Sequence, residues 1–363
     1  MTENVAILIP NYNGLSKLGS ILFSSIDSAL GIEYPDFDVV VVDNNSRDGS
    51  VEAIEDRYGG DITLIKFDKN YGYAGGIAEG LKTLMGFGKR YDYVVPMNND
   101  FIVKNSDSLK EMVKFLKSHE DVGVVQGINL YGDGKTIIDA GFYLDVFLSI
   151  IARYNGHRVS EYPDRISYIS YASGAFMIVN LKLLKNLPVY PYVLNPRLFG
   201  YYDDTELGLL LWTHGVKSVV LPAVVGVHLE SKTFGKVSSL TRYLSARNEQ
   251  FLLKTYWSKG LLRKIRSLVT IRSYLSNLYK ALIGQRIYFK GLYDSFSFNS
   301  LPTTTRRGPY YPLLIVPSPF SVFVFTSVLP DVGRYKVAIK GKTIFIGDNE
   351  LSASKERFLV CVK

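Results

Sequence analysis

Along the first hundred residues, solid apolar runs alternate with stretches of helical spacing. Val5 to Ile9, Phe37 to Val42, Ile62 to Phe67 and Tyr93 to Pro96 read as four strands, each closing in polar or glycine-bearing sequence. Between them, Leu18, Ile21, Leu22, Ile26 and Leu30 recur at helical spacing over Leu15 to Leu30. A short helix opens at Ser50 and Glu52, and another leaves the glycine-bearing loop 70–76 and runs to about Phe87. Runs without polar alternation are buried on both faces, which predicts a mainly parallel sheet covered by helices, an α/β fold. Ligands of such sheets sit beyond the carboxyl ends of the strands, so Asn11, Asp43, Asn70 and Asp100 are expected along one crevice.

The pattern continues with a helix over Ser106 to Leu116 and a strand over Val122 to Gln126, then loosens. Ile137 to Phe142 and Ala172 to Val179 read as strands around a polar loop at 153–167. Phe199 to Glu206 leads into a helix through Thr213, and Val216 to Leu221 with Val224 to Val227 carries His228 to a strand end. Two acidic stretches stand out. In Pro96-Met97-Asn98-Asn99-Asp100, Asn-Asn-Asp is ordinary turn material. A carboxylate closing a buried strand is nonetheless costly unless water, a metal or a ligand takes its charge. In Asp203-Asp204-Thr205-Glu206 one acid suffices to cap a helix, whereas three in one turn repel.

Several classes are excluded. No G-x-G-x-x-G turn follows the first strand, where Pro-Asn-Tyr-Asn-Gly stands instead, and no G-x-x-x-x-G-K-[ST] occurs. The Gly-rich, Arg-bearing loop of a sugar-nucleotide pyrophosphorylase is also missing. The single cysteine, Cys361, excludes an intrachain disulfide framework and fits a reducing compartment. The N-terminus lacks a basic n-region and reads as a first strand, not a signal peptide.

Charge changes the picture in one place. The net charge is +8, yet the acid-free interval between Glu249 and Asp294 alone carries Lys254, Lys259, Arg263, Lys264, Arg266, Arg272, Lys280, Arg286 and Lys290. The basic character is thus one segment, not a general property. Residues 240–258 read as helix and include Arg247-Asn248, which either reaches a ligand phosphate or pins the helix to the core. From Lys259 to Leu292, Leu261, Leu262, Ile265, Leu268, Val269, Leu275, Leu278, Leu282 and Ile283 interleave with the bases as amphipathic helix. Two readings stand: a packed helical pair with a solvated basic face, or docking on an anionic membrane. No helix-turn-helix, RRM or zinc pattern accompanies the charge, so nucleic acid is not the expected partner. The apolar stretch 310–330 contains Pro312, Pro317, Pro319 and Pro330, which argues against a spanning helix. Val337 to Ile346, turning at Lys340-Gly341-Lys342, reads as a hairpin.

Eight pieces in order carry a resemblance. They are Ile-Pro-Asn-Tyr-Asn-Gly (9–14), Val-Asp-Asn-Asn-Ser-Arg-Asp-Gly-Ser (42–50), Asn-Tyr-Gly-Tyr-Ala-Gly-Gly (70–76), Met-Asn-Asn-Asp (97–100), Ser-Gly-Ala-Phe-Met-Ile (173–178), Tyr-Tyr-Asp-Asp-Thr-Glu-Leu (201–207), Val-His (227–228) and Arg-Asn (247–248). Over roughly residues 4–255 the chain resembles the family 2 glycosyltransferases of the GT-A (Rossmann-like) fold, nearest their rhamnosyl- and galactofuranosyl-transferase-like branch. The division expected is a GT-A domain at 1–258 and a basic helical and partly β region at 259–363.

What the resemblance implies is an inverting, divalent-metal-dependent transfer of a sugar from a UDP- or dTDP-sugar. The acceptor would be a hydroxyl of a glycan or lipid-linked glycan in cell-surface polysaccharide or glycoconjugate synthesis. Asp100 and His228 correspond to ligands of Mn²⁺ or Mg²⁺, with Asn98 at the first position of the D-x-D-like motif. Asp204 corresponds to the base that takes the acceptor proton, preceded by Asp203 where Glu is commoner. Asp43 corresponds to the acid that recognises the base of the nucleotide. Pro10, Asn11 and Asn13 line that base and its ribose, and Asn70, Gly75, Asn98 and Asn99 complete the nucleotide-sugar site. Glu206 either orients the acceptor or caps the helix. The place implied is cytoplasmic, with residues 254–290 peripheral on the cytoplasmic membrane face. The alternative is a non-catalytic nucleotide-sugar binder with the same fold.

Overall fold

In β1 (Val5–Asn11) every residue is buried. Val5, Ile7 and Ile9 join the core on one side of the sheet, Ala6 and Leu8 the core on the other. That two-sided burial withdraws each aliphatic chain from water, about 1.5–3 kcal/mol apiece, and it explains the solid apolar runs. The computed structural model describes residues 3–145, 147–229, 238–257, 260–282, 286–297 and the short strand segments 314–316, 337–340, 343–346 and 359–361. Lys259, Ile283, the turn residues Gly341 and Lys342, and the proline-bearing stretch 310–330 apart from its 314–316 segment lie outside the described residues.

After β1 come α1 (Gly14–Leu18), α2 (Ser20–Leu30), β2 (Phe37–Asp43), α3 (Ser50–Tyr58), β3 (Thr63–Lys66), α4 (Gly72–Gly86), β4 (Tyr93–Pro96), β5 (Phe101–Val103), α5 (Ser108–Ser118) and β6 (Val122–Leu130). The chain continues through β7 (Ile137–Asp139), β8 (Phe142–Leu144), β9 (Ile150–Ala152), β10 (Ser167–Ile169), β11 (Ile178–Asn180), α6 (Leu181–Leu184), α7 (Asp203–Thr213) and β12 (Lys217–His228). Helices α8 (Ser239–Tyr256), α9 (Gly260–Leu282) and α10 (Ile287–Ser297) follow. Strands β13 (Leu314–Val316), β14 (Val337–Lys340), β15 (Thr343–Ile346) and β16 (Leu359–Cys361) close it as a small separate sheet, in which β14 and β15 form the antiparallel pair expected over 337–346.

The main sheet has the order β10-β12-β6-β11-β4-β1-β2-β3. β3, β2, β1 and β4 are mutually parallel, as are β6 and β12. The short β11 enters antiparallel between β4 and β6. The sheet is thus mainly parallel with helices around it, as expected, but stitched together by one reversed strand.

Three local departures have physical causes. The helix expected over 15–30 breaks at Gly19, which adopts φ +57 and divides α1 from α2. The strand expected over 137–142 divides into β7 and β8 at Gly141, φ +77. The strand expected over 172–179 is continuous only from Ile178, with an isolated bridge from Phe176 to Met97 before it, because residues 173–175 turn away and bond with the groups described below. Conversely, the two segments around Pro222 are one strand, β12, with register shifts against β6 between Val220 and Gly226.

Candidate active site

One side of the site is built at the ends of β1 and β2, whose register sets Asn11 beside Asp43. Asn11, fully buried, donates through Nδ2 to Asp43 Oδ1 at 2.9 Å and to Ser46 Oγ at 3.2 Å. Asp43 Oδ2 accepts from the Ser46 N–H at 2.8 Å, and Ser46 Oγ accepts from the Asn13 N–H at 2.8 Å. Asn13, at φ +52, accepts in turn from the Arg47 N–H. Asp43 therefore organises two loops, a buried carboxylate satisfied by short-range donors.

Asn70 and the glycines that follow shape the loop into α4. Asn70 Oδ1 accepts from Gly72 N–H at 2.7 Å. Gly72 has φ +74, and a Cβ there would lie 2.1 Å from Phe199 O; one on Gly75 would lie 2.8 Å from Tyr71 Cβ, and one on Gly76 2.8 Å from Asn44 Nδ2 and 3.3 Å from Pro10 Cβ. The glycines let the start of α4 close on the 199 loop and on the ends of β1 and β2.

The turn after β4 carries Asn98, Asn99 and Asp100. Asn99 Nδ2 donates to Asn11 Oδ1 at 3.2 Å, which joins this turn to the Asp43 group. β12 pairs antiparallel with β5 so that His228 lies opposite Phe101, which brings the imidazole to the same turn. His228 Nε2 lies 3.2 Å from Asp100 Oδ1 and 3.0 Å from Asn98 Nδ2, with His228 and Asp100 both buried.

A second acidic group stands at the start of α7. Asn98 N–H donates to Ala175 O at 3.0 Å, and the neighbouring Gly174 N–H donates to Asp204 Oδ2 at 3.2 Å. Two residues, Gly174 and Ala175, thus link the Asp100 turn to the Asp204 carboxylate. Asp203 is buried, while Asp204 keeps partial access to solvent. Burial pushes both carboxyls above the usual carboxylate range, and the Asp204 charge adds to the rise at Asp203. At Asp204 the N–H groups of Gly174 and Thr205 pull the other way. The pair holds its charge on Asp204 more readily than on Asp203, and two like charges so close titrate as a unit.

Glu206 is buried and accepts from Tyr256 Oη of α8 at 3.4 Å, so it faces the helical layer. Arg247 and Asn248 pin the loop before α7. Arg247 Nη2 donates to Leu198 O at 2.9 Å, and Asn248 Nδ2 donates to Leu198, Gly200 and Tyr201 carbonyls at 3.0, 3.0 and 2.8 Å. That loop needs pinning, because Phe199, Tyr201 and Tyr202 hold φ of 68, 61 and 64. Such conformations cost on the order of 1 kcal/mol or more each outside glycine.

Sequence reasoning passed over Tyr73, Gly174 and Ser46. The Tyr73 hydroxyl donates to Gly174 O, and burial together with the charges of Asp203, Asp204 and Asp100 pushes its phenol well above its ordinary value. It therefore lies between the two acidic groups. Its only sequence signal was its place in Asn-Tyr-Gly-Tyr-Ala-Gly-Gly, where an aromatic reads as core.

A divalent cation fits this arrangement as a shared guest. Two ligands at right angles, each about 2.1–2.2 Å from a cation, stand about 3 Å apart, which matches the Asp100–His228 separation. Among the described residues no group of three or more His, Cys, Asp or Glu could hold a metal alone. The remaining positions would fall to a ligand's phosphate oxygens and water.

Residues 6–177 match the model of Glycosyl transferase family 2. A stretch of 126 residues, 34% of the chain, is 25% identical to the poly-beta-1,6-N-acetyl-D-glucosamine synthase of Staphylococcus epidermidis and spans only 28% of that protein's length. Among solved structures, S. aureus TarS 1–349 in complex with UDP-GlcNAc superposes with a TM-score of 0.52 at 16% identity, covering 99% of this chain and 100% of that one. The same protein in complex with UDP gives 0.51 at 15% identity, covering 98% of each. At that identity the likeness is one of fold. The sheet order and these superpositions give the chain a GT-A fold, and residues 6–177 are the part that is similar to glycosyl transferase family 2.

Proposed function

We propose that the protein is an inverting glycosyltransferase that moves a sugar from a UDP- or dTDP-sugar to a hydroxyl of a glycan or lipid-linked glycan. The observation that carries this is the short path from Asp204 through Gly174, Ala175 and Asn98 to His228 and Asp100. In this reading the path links a base to an anion-neutralising pair within a few residues.

In this reading Asp204, ionised and partly open, accepts the proton of the acceptor hydroxyl as its oxygen attacks the anomeric carbon. The bond from that carbon to the diphosphate breaks, the leaving nucleotide keeps the electron pair, and the centre inverts. Asp203, buried and held neutral, supports the charge on Asp204 without competing for the proton. Pro10, Asn11, Asn13 and Asp43 receive the base and ribose, with Asn70, Gly75, Asn98 and Asn99 around the diphosphate and sugar. Asp100 and His228 would hold Mn²⁺ or Mg²⁺, which when bound neutralises the departing diphosphate. A binder without catalysis would have no use for a carboxylate kept open beside a second one. UDP-GlcNAc is bound by the TarS structure and N-acetylglucosamine is polymerised by the named synthase. Cell-surface polysaccharide is therefore the product class to test first. Thermal shift against a panel of UDP- and dTDP-sugars with Mn²⁺, followed by assay of nucleoside diphosphate release with and without glycan acceptors, tests the reading. Stabilisation by a sugar-nucleotide without any turnover would leave the non-catalytic binder.

We also propose that α9 and α10 dock on an anionic membrane at its cytoplasmic face. The seam that α9 turns to α8 is partly polar: Ser273 and Asn277 are buried and bond to Gln250 and Glu249. Leu268, Ile271, Leu275, Leu278, Tyr279 and Leu282 are exposed instead. Phe289, Tyr293 and Phe296 of α10 are exposed too, with Lys280, Arg286 and Lys290 on the same helices or between them. An apolar face turned outward among cations matches an anionic interface, not bulk water. Among the described residues no helix is long and apolar enough to cross a membrane.

A further inference from the structure

Behind Gly174 lies a polar group that none of the roles above uses. Asp139, at the end of β7, is buried, and its carboxylate accepts from Gln126 Nε2 at 2.7 Å, from Asn129 Nδ2 at 3.2 Å on each oxygen, and from Gly141 N–H at 3.3 Å. Gln126 and Asn129 belong to β6 and are fully buried. Gln126 is a bridge: its Oε1 accepts from Ser173 N–H at 2.6 Å while its Nε2 faces Asp139. The orientation of that amide is forced. Ser173 N–H can only donate, and Gly127 O, 3.0 Å from Gln126 Nε2, can only accept, so oxygen must face the first and nitrogen the second. The next residue, Gly174, gives its N–H to Asp204 and takes the Tyr73 hydroxyl on its carbonyl.

The backbone beside Asp139 is closely packed: a Cβ on Gly141 would lie 2.7 Å from the Ile169 side chain, whereas one on Gly174 would meet the Tyr73 ring at 3.4 Å and Asp204 Oδ2 at 3.7 Å, ordinary contact distances. An apolar trio would fill the volume of Asp139, Gln126 and Asn129 without the cost of burying a carboxylate. What apolar residues could not do is hold the 173–174 backbone at one position by a directed bond.

We infer that Asp139 is a positioning residue for glycosyl transfer: through Gln126 it fixes the Ser173–Gly174 peptide, and through that peptide it aims the Asp204 carboxylate at the acceptor hydroxyl. The inference rests on the glycosyltransferase reading above and deepens it. Asp139 touches neither donor nor acceptor. Its contribution is the placement of a group that does, and an error of 1 Å at such a group costs about 100-fold in rate.

The test compares Asp139→Ala, Asp139→Asn and Gln126→Met in the full chain. Two quantities are read: kcat for nucleoside diphosphate release with a glycan acceptor, and affinity for UDP or dTDP, whichever the wild type binds. Asp139→Ala and Gln126→Met are expected to lower kcat about 10- to 100-fold with nucleotide affinity unchanged. Asp139→Asn keeps an oxygen for Gln126 Nε2 and is expected to recover most of the rate. Unaltered kcat in Asp139→Ala or Gln126→Met would overturn the inference. So would a parallel fall in kcat, nucleotide affinity and Tm, which marks a merely structural role, or an Asp139→Asn as slow as Asp139→Ala. If Asp139→Ala does not fold, Gln126→Met and Asp139→Asn still decide it. A wild type that binds the nucleotide but transfers no sugar would instead bring down the glycosyltransferase reading, and this inference with it.

Discussion

His228 Nε2 stands 3.2 Å from Asp100 Oδ1, although one residue ends β12 and the other lies in the turn after β4. A buried carboxylate and imidazole can satisfy each other by a proton, or can satisfy a cation together. The second use predicts that nucleoside diphosphate affinity depends on the metal through both residues. Asp100→Asn and His228→Ala are each expected to weaken UDP binding in Mn²⁺ by about tenfold or more and to leave the affinity in EDTA unchanged. Isothermal titration with and without chelator measures this. A wild type equally tight in Mn²⁺ and EDTA would remove the metal from the account.

The transfer step makes a different demand on Asp204. Asp204→Asn keeps the shape that Gly174 N–H bonds to but cannot take a proton. Nucleotide affinity is expected to persist while kcat falls by about 10²–10⁴-fold. The pH profile follows from the direction of the shift. Burial raises the Asp204 carboxyl, so the base is lost by protonation as pH falls through a value above the ordinary Asp, about 3.9. The acid limb of kcat should lie above that value; a limb at or below it would remove Asp204 as the base.

Much of this was legible in the chain, for reasons particular residues make plain. Val5 to Ile9 reads as a doubly buried strand because its residues serve two cores at once, and the parallel register then places Asn11 against Asp43. The break at Gly19 was not legible, since a glycine inside a helical pattern is tolerated as often as it ends one. Asp139 and Gln126 carried no local signal beyond lying in expected strands, and Ser173 only its place in Ser-Gly-Ala-Phe-Met-Ile: they are paired by β6, β7 and the 173 turn folding together, which no window of sequence contains. Tyr73 was passed over because an aromatic beside glycines looks like packing until its hydroxyl is found on Gly174. At Gly72, Gly75 and Gly76 a Cβ would meet Phe199, Tyr71, Asn44 and Pro10, close approaches that the 70–76 stretch does not by itself reveal.

Asp203 yields a prediction about stability. Its folded carboxyl lies above the unfolded value, so the folded state binds the proton more tightly. The protonated form is favoured at low pH, and stability falls as pH rises from the unfolded value toward the raised one. Asp203→Asn is neutral at every pH and removes that loss. Its Tm should exceed that of the wild type at pH 8 by more than at pH 5, at some cost in turnover. A wild type that gains stability relative to Asp203→Asn between pH 5 and pH 8 would reverse the sign and place an ionised Asp203 in a favourable site.

The outward face of α9 and α10 can be separated into its two attractions. Sedimentation with vesicles containing phosphatidylglycerol should fall as salt rises, because ionic strength shortens the reach of Lys280, Arg286 and Lys290. Each basic residue near such a surface is worth about 1 kcal/mol, so replacing the three with Gln should weaken binding by roughly fivefold per charge. Leu275→Ser with Leu282→Ser, at two of the most exposed apolar positions, should weaken binding without altering its salt dependence, since the charge is untouched. Turnover of a soluble acceptor should survive both sets of changes, because neither reaches the crevice. Equal binding to neutral phosphatidylcholine vesicles would show that lipid charge is irrelevant, and a loss of soluble turnover would show that the face belongs to the catalytic unit instead.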